Sequence, residues 1–372
     1  MRVVMRANSS ANRHNEDCLA VDKAMVSAAV AARAWCERSC TPSDSSRPSL
    51  FVRLMRAATL INFVRIAEGE QKVLGVDDLV SEFSTAMSAW LPGGDDVVLI
   101  EDGLPTLTCE DLAHEAGADS DAEVEQGVVA KAMRRFVNLT SGAERYRSYR
   151  RYLIENAVVD ENEALERFGV FGLNLWEHYE AIGPECLVSV GGEDHFVPCP
   201  RCGWPMRIRG ERMACASDTC RVDGARFITQ ANGLLPRGAR PAPCHVPARG
   251  RRRLRFGLWR YTLLPGLEEL ALEKALTRID GVTVELWPHV DQFDLLVRSK
   301  TRMWRVDVKD HRSARFLAAR FVDNPPPEPL VIVVPDRRRH QVSILRSRCG
   351  EIATLKFATA SALLRRVREA SR

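Results

Sequence analysis

Two short apolar runs, Phe293-Asp294-Leu295-Leu296-Val297 and Trp304-Arg305-Val306-Asp307-Val308-Lys309, each carry a carboxylate inside an otherwise hydrophobic stretch. Side chains alternate faces along a strand, so Asp307 and Lys309 emerge together while Val306 and Val308 point the other way. Charges inside a sheet are costly unless they are paired or hold a metal. The segment Arg298-Ser299-Lys300-Thr301 is a natural turn between the runs, and a hairpin would set an acid-x-lysine beside an acid on the neighbouring strand. Such a group is a candidate divalent-metal site with a positive charge next to it. The competing reading is a structural ion cluster, or charges on an exposed edge strand.

The flanking sequence alternates helix and strand. Apolar residues at three- and four-residue steps predict a helix over Gly266–Ile279, stopped by Asp280-Gly281. Val282–Trp287 is β-branched and closed by Pro288. Strands are expected at Gln292–Val297 and Met303–Val308, a helix at Ser313–Phe321, and a strand buried on both faces at Leu330–Val334. Val342–Leu345 reads as a further short strand and Ala360–Ala370 as a basic terminal helix. The expected fold is an α/β C-terminal domain, a mixed sheet flanked by helices. Asp291, Asp310 and His311 read as turn residues.

Upstream, Cys199-Pro-Arg-Cys202-Gly is followed by Cys215 and Cys220. Four thiolates around Zn²⁺ make a closed structural site, and this spacing predicts a zinc ribbon. The C-x4-C second pair departs from the commoner two-residue gap. His195 and His245 are possible substitute ligands. Between His195 and Arg260 there are fourteen arginines, no lysine and three acids (Glu211, Asp218, Asp223), a local net charge of +11 in a chain of net +4. Arg249, Arg251, Arg252, Arg253, Arg255 and Arg260, interleaved with Phe256 and Trp259, lie just ahead of the α/β region. Guanidinium groups match phosphate bidentately, so these six are candidate DNA contacts. The alternative is an ordinary solvated linker.

With 372 residues the chain has room for two or three domains. No run approaches the ~18 apolar residues of a membrane span, and scattered cysteines outside the cluster fit a reducing cytoplasm. The N-terminal half reads as helices at Leu19–Cys40, Leu50–Glu68 and Asp77–Leu91, with a capping signature at Thr106. Gly142–Asn156 reads as a basic helix whose tyrosines belong in a core. The expected organisation is a disordered tail over 1–16, a mainly α-helical N-terminal region over 17–190, a zinc ribbon over 195–232, a basic Pro/Arg linker over 233–257 and the α/β domain over 258–372.

The order helix–strand–strand(Asp)–strand(Asp-x-Lys)–helix–strand resembles the core of the PD-(D/E)xK, or restriction-endonuclease-like, nuclease superfamily. That resemblance implies Mg²⁺-dependent hydrolysis of DNA phosphodiesters. Asp294 and Asp307 would be metal ligands, Lys309 the charge-stabilising group, and a helix glutamate the completing acid. Glu269 is the first choice, with Glu268 and Glu273 as rivals. Aspartate at position 307 departs from the commoner glutamate. With the ribbon motif Cys-Pro-x-Cys-Gly-Trp-Pro and the helical N-terminal half, the chain also resembles the restriction-endonuclease-like protein of bacterial three-gene defence islands. That likeness implies a prokaryotic Piwi protein and a helicase as partners; the lack of a long apolar run is what argues for no membrane. The alternative function is a non-catalytic zinc-ribbon DNA-binding protein, or a scaffold or regulatory protein.

Overall fold

The computed structural model describes residues 20–36, 50–115, 120–139, 141–230, 233–236, 244–311 and 314–371. The tail expected over 1–16 and the last residues, 37–40, of the first expected helix lie outside them. The chain divides into two compact units, one of residues up to Ser120 with Ala216–Asp218, the other of Asp121–Cys215 with Thr219 onward. Among the described residues, no helix is long and apolar enough to cross a membrane.

The first unit is mainly helical, with helices at 20–36, Leu50–Ala67 and Val76–Glu82. The helix expected to run on to Leu91 stops at Glu82 and resumes only as a 3₁₀ turn at Met87–Ala89. Thr85 explains the break: its hydroxyl donates to the Glu82 carbonyl and carboxylate, a local bond that competes with the helical ladder. The Thr106 hydroxyl accepts from the Cys109 N–H, as its capping pattern requires.

In the second unit, α1 (Gly142–Glu155) buries Tyr146, Tyr149, Leu153 and Ile154. The C-terminal part contains α2 (Leu264–Leu276), β1 (Thr283–Leu286), β2 (Leu295–Arg298), β3 (Met303–Val308), α3 (Ala314–Asp323), β4 (Leu330–Val334), α4 (Gln341–Cys349), β5 (Leu355–Thr359) and α5 (Ala360–Ser371). Its five strands lie in chain order. The β1–β2 and β2–β3 pairs are antiparallel, and β3–β4 and β4–β5 are parallel. A tight turn joins β2 to β3, whereas each parallel neighbour is reached through a helix, as parallel pairing demands. Ile332 and Val334 of β4 pack with Leu317 and Ala318 of α3 and Val342 and Leu345 of α4.

Val342–Leu345 is therefore not a strand but part of α4. Val342, Leu345 and Cys349 recur at helical spacing and bury one face. The true fifth strand, Leu355–Thr359, went unread because Lys356 and Thr359 interrupt its apolar pattern. Within the stretch expected as a linker, the described residues 233–236 and 244–257 include paired strands. Arg251–Leu254 is the middle strand of a three-stranded sheet, paired with Val158–Asp160 and Tyr179–Ala181, and Gly233–Pro236 pairs with the ribbon strand Arg226–Gln230.

Candidate active site and metal centre

Leu295 of β2 faces Val306 of β3. Extending that antiparallel register by one residue sets Asp294 opposite Asp307. The Val308 N–H donates to Asp294 Oδ2 at 2.6 Å, which pins one oxygen of this buried carboxylate. Two residues beyond Asp307, on the same face, Lys309 Nζ donates to Asp307 Oδ1 at 2.9 Å. The Lys309 backbone N–H continues the parallel ladder to the Val333 carbonyl at 2.8 Å. The hairpin read from the sequence thus forms and brings Asp294, Asp307 and Lys309 together.

Burial raises the Asp294 pKa well above the carboxylate range, and the charges of Glu269 and Asp307 push it further. At Asp307 burial also opposes ionisation, but Lys309 and a hydrogen bond from Asp294 hold its carboxyl below the usual value. Burial likewise disfavours the Lys309 ammonium, yet Asp307 and Asp294 prevail and keep it protonated. The two aspartates behave as a pair that resists carrying two negative charges without a further cation. All their donor atoms are carboxylate oxygens, which suit a hard ion such as Mg²⁺.

Glu269 is almost fully buried on α2. Both of its oxygens accept from Arg150 Nη2, at 2.9 and 3.0 Å, and Oε2 also accepts from the Trp287 indole N–H at 2.6 Å. Burial raises its pKa against the pull of Arg150 and Trp287. Arg150 comes from α1, where Tyr146 lies one turn earlier on the same face. Its Nη1 pairs with Asp291, which also accepts from the Tyr146 hydroxyl at 2.8 Å. Its Nη2 stands 3.9 Å from Asp294 Oδ1, and its guanidinium lies 5.0 Å from the Trp287 ring centroid. Asp291 sits on a turn, as expected, but it is a full member of this ion cluster. The turn is unusual: Trp287, His289, Val290 and Asp291 all adopt positive φ, a conformation a β-branched valine rarely takes. The close approach of α1 and α2 depends on Gly266, where a Cβ would come within 2.3 Å of Ile154 Cδ1. Of the rival glutamates, Glu268 pairs with Arg201 and Arg337, and Glu273 lies 4.0 Å from Arg151.

The cysteine cluster forms as its spacing predicts. The ligand atoms of Cys199, Cys202, Cys215 and Cys220, all buried, lie within 4.8 Å of one another. Gly203, at φ +74°, turns the first knuckle so that its N–H reaches the Cys199 carbonyl at 2.9 Å. Cys215 follows the strand Arg212–Ala214, while Cys220 lies in the short helix Asp218–Val222, which accounts for the longer second gap. The Trp259 indole N–H donates to Cys202 Sγ at 3.4 Å, and Arg201 donates to Cys220 Sγ at 3.6 Å. Burial pushes the Cys202 and Cys215 thiols up, while bonds from the other three thiols pull Cys220 down. Soft donors in this arrangement could hold a metal ion such as Zn²⁺. His195 is not part of the group; its ring contacts the Glu193 carbonyl.

A family model described as "REase associating with pPIWI_RE" matches residues 266–372, and one described as "pPIWI_RE three-gene island domain Y" matches residues 78–160. Over these two stretches the chain is similar to the REase-like and domain Y proteins of the pPIWI_RE three-gene islands. No curated protein and no solved structure matches it. The REase match holds Glu269, Asp291, Asp294, Asp307 and Lys309, and the domain Y match holds Arg150. The cysteines lie between the two. The same intervening stretch carries the six arginines expected to meet DNA, and there the structure corrects the sequence reading in part. Arg260 is buried, so it has no surface to offer a phosphate. Arg252 pairs with Glu161, and Arg253 with Glu180 and Glu185. Arg255 points a guanidinium N–H at the Trp176 carbonyl, 3.4 Å away. Arg249 and Arg251 are exposed.

Proposed function

We propose that this chain is a Mg²⁺-dependent endonuclease of the PD-(D/E)xK type that hydrolyses DNA phosphodiester bonds in a bacterial defence system. The observation that carries the reading is Asp294 opposite Asp307 with Lys309 on the same face, inside the segment matched as a REase. Asp294 Oδ1 and the Asp307 carboxylate would hold the ion, since Asp294 Oδ2 is already committed to the Val308 N–H. Bound Mg²⁺ would supply Lewis acidity and lower the pKa of a water. Lys309 keeps its proton and offers a positive charge to a phosphate oxygen as negative charge grows there. The closed thiolate site would hold Zn²⁺ and serve folding rather than chemistry. Exposed Arg249 and Arg251 offer DNA contacts beside the ribbon. A Piwi protein and a helicase of the same island are the partners this reading expects.

The second reading is a non-catalytic scaffold or DNA-binding protein. Its support is the Arg150–Glu269–Asp291 cluster, which already satisfies much of its charge internally. Incubating plasmid DNA and Mg²⁺ with the intact protein and with Lys309→Ala, with and without the island partners, separates the two. Metal-dependent cutting lost in the variant, with DNA binding retained, supports the nuclease. No cutting under any of these conditions supports the scaffold.

A further inference from the structure

The acidic centre has more carboxylates than one ion needs, and Arg150 occupies the space among three of them. Glu269 gives both oxygens to one of its nitrogens, Asp291 takes the other, and Asp294 Oδ1 stands 3.9 Å away. Arg150 is itself buried, and its Nε has no hydrogen-bond partner. Four carboxylates (Glu269, Asp291, Asp294, Asp307) thus enclose two permanent cations, Arg150 and Lys309. When all are ionised the cluster carries a net charge of −2, which one divalent ion neutralises.

We infer that Arg150 stands in the place of a second cation and restricts the centre to a single divalent ion held by Asp294 and Asp307. The inference rests on the nuclease reading and deepens it. Guanidinium suits this task because it never loses its proton and its planar fork grips carboxylate on two sides. Arg150 is a positioning residue that the domain Y segment supplies to the REase segment, so neither matched segment holds the whole centre.

The test counts ions rather than turnover. Full-length, zinc-loaded protein is titrated with Mn²⁺, a hard ion that does not compete for thiolates, and free Mn²⁺ is followed by electron paramagnetic resonance. The intact protein should bind one Mn²⁺ per chain. Arg150→Met takes the cluster to −3 and should bind two. Arg150→Met with Glu269→Gln returns it to −2 and should bind one. Arg150→Met leaves a buried carboxylate unpaired and can fail to fold; the count on the intact protein then still decides. Two ions in the intact protein, or one in a folded Arg150→Met, overturns the inference while leaving the nuclease reading in place. No ion in the intact protein overturns both.

Discussion

In the ribbon, four sulfurs converge to within 4.8 Å, and the Arg201 guanidinium donates to Cys220 Sγ. In the acidic centre, four carboxylates are interleaved with Arg150 and Lys309. The first cluster is built of thiols, and buried together they cannot all ionise until an ion arrives. The second carries half of its neutralising charge in its own side chains, Arg150 and Lys309. Where an ion is missing, the ribbon should lose its fold and the acidic centre only its chemistry.

The largest effect should come from stripping zinc. Structural zinc sites are worth about 10–16 kcal/mol of apparent binding free energy, more than a small ribbon can replace. Chelation, or Cys202→Ser, should unfold the ribbon and shift the fluorescence of Trp204 and Trp259, whose rings stack at 4.8 Å beside it. Removing Mg²⁺ alone should hardly change the melting temperature. If the two treatments melt the protein equally, the contrast fails. Next comes Lys309→Ala, which should slow cleavage by about 10²–10³ while leaving the melting curve near that of the intact protein.

A buried neutral group supplies a reference that neither ion touches. His178 is fully buried, its ring between the Tyr149 hydroxyl and the Asn174 carbonyl, and burial pulls its pKa down to about 4. An unfolded histidine titrates near 6.5, so between these values the unfolded chain binds more protons than the folded one. The stability contributed by neutral His178 is complete above about pH 6.5 and is lost as the pH falls towards 4, by up to about 3 kcal/mol. Denaturant melts across this range with zinc held saturating should show it. The smallest effect is expected at Glu268, which accepts from Arg201 beside the ribbon and from Arg337 beside Asp310. Glu268→Ala should cost about 1–2 kcal/mol. Its coupling to Cys202→Ser in a double-mutant cycle would measure how strongly ribbon and acidic centre communicate.

The parts of both clusters that are local in sequence were legible. Period-two alternation places Asp307 and Lys309 on one face, and cysteine spacing fixes the ribbon ligands. Arg150 was not legible, because its partners lie more than a hundred residues away and a basic aromatic helix gives no sign that one arginine turns inward. Asp291 was hidden for a related reason: its turn was evident, but the positive-φ path that aims it at Arg150 has no signature in Trp287-Pro-His-Val290. Arg252 and Arg253 were read by composition as a surface, yet on the middle strand their guanidinium groups meet Glu161, Glu180 and Glu185 within the fold, while Arg251 stays exposed. The misassigned Val342–Leu345 shows the ambiguity of short apolar segments, where four residues do not distinguish a period of two from one of 3.6.

Gly266 sets a mechanical condition on all of this. By letting α2 lie directly against the Ile154 side chain, it keeps the helix that carries Glu269 close to the helix that carries the guanidinium. A single added methyl would act as a wedge, levering acid from base without altering any charge. Chimaeras that exchange the C-terminal part between relatives should therefore seat correctly only where donor and recipient agree on this one point of clearance.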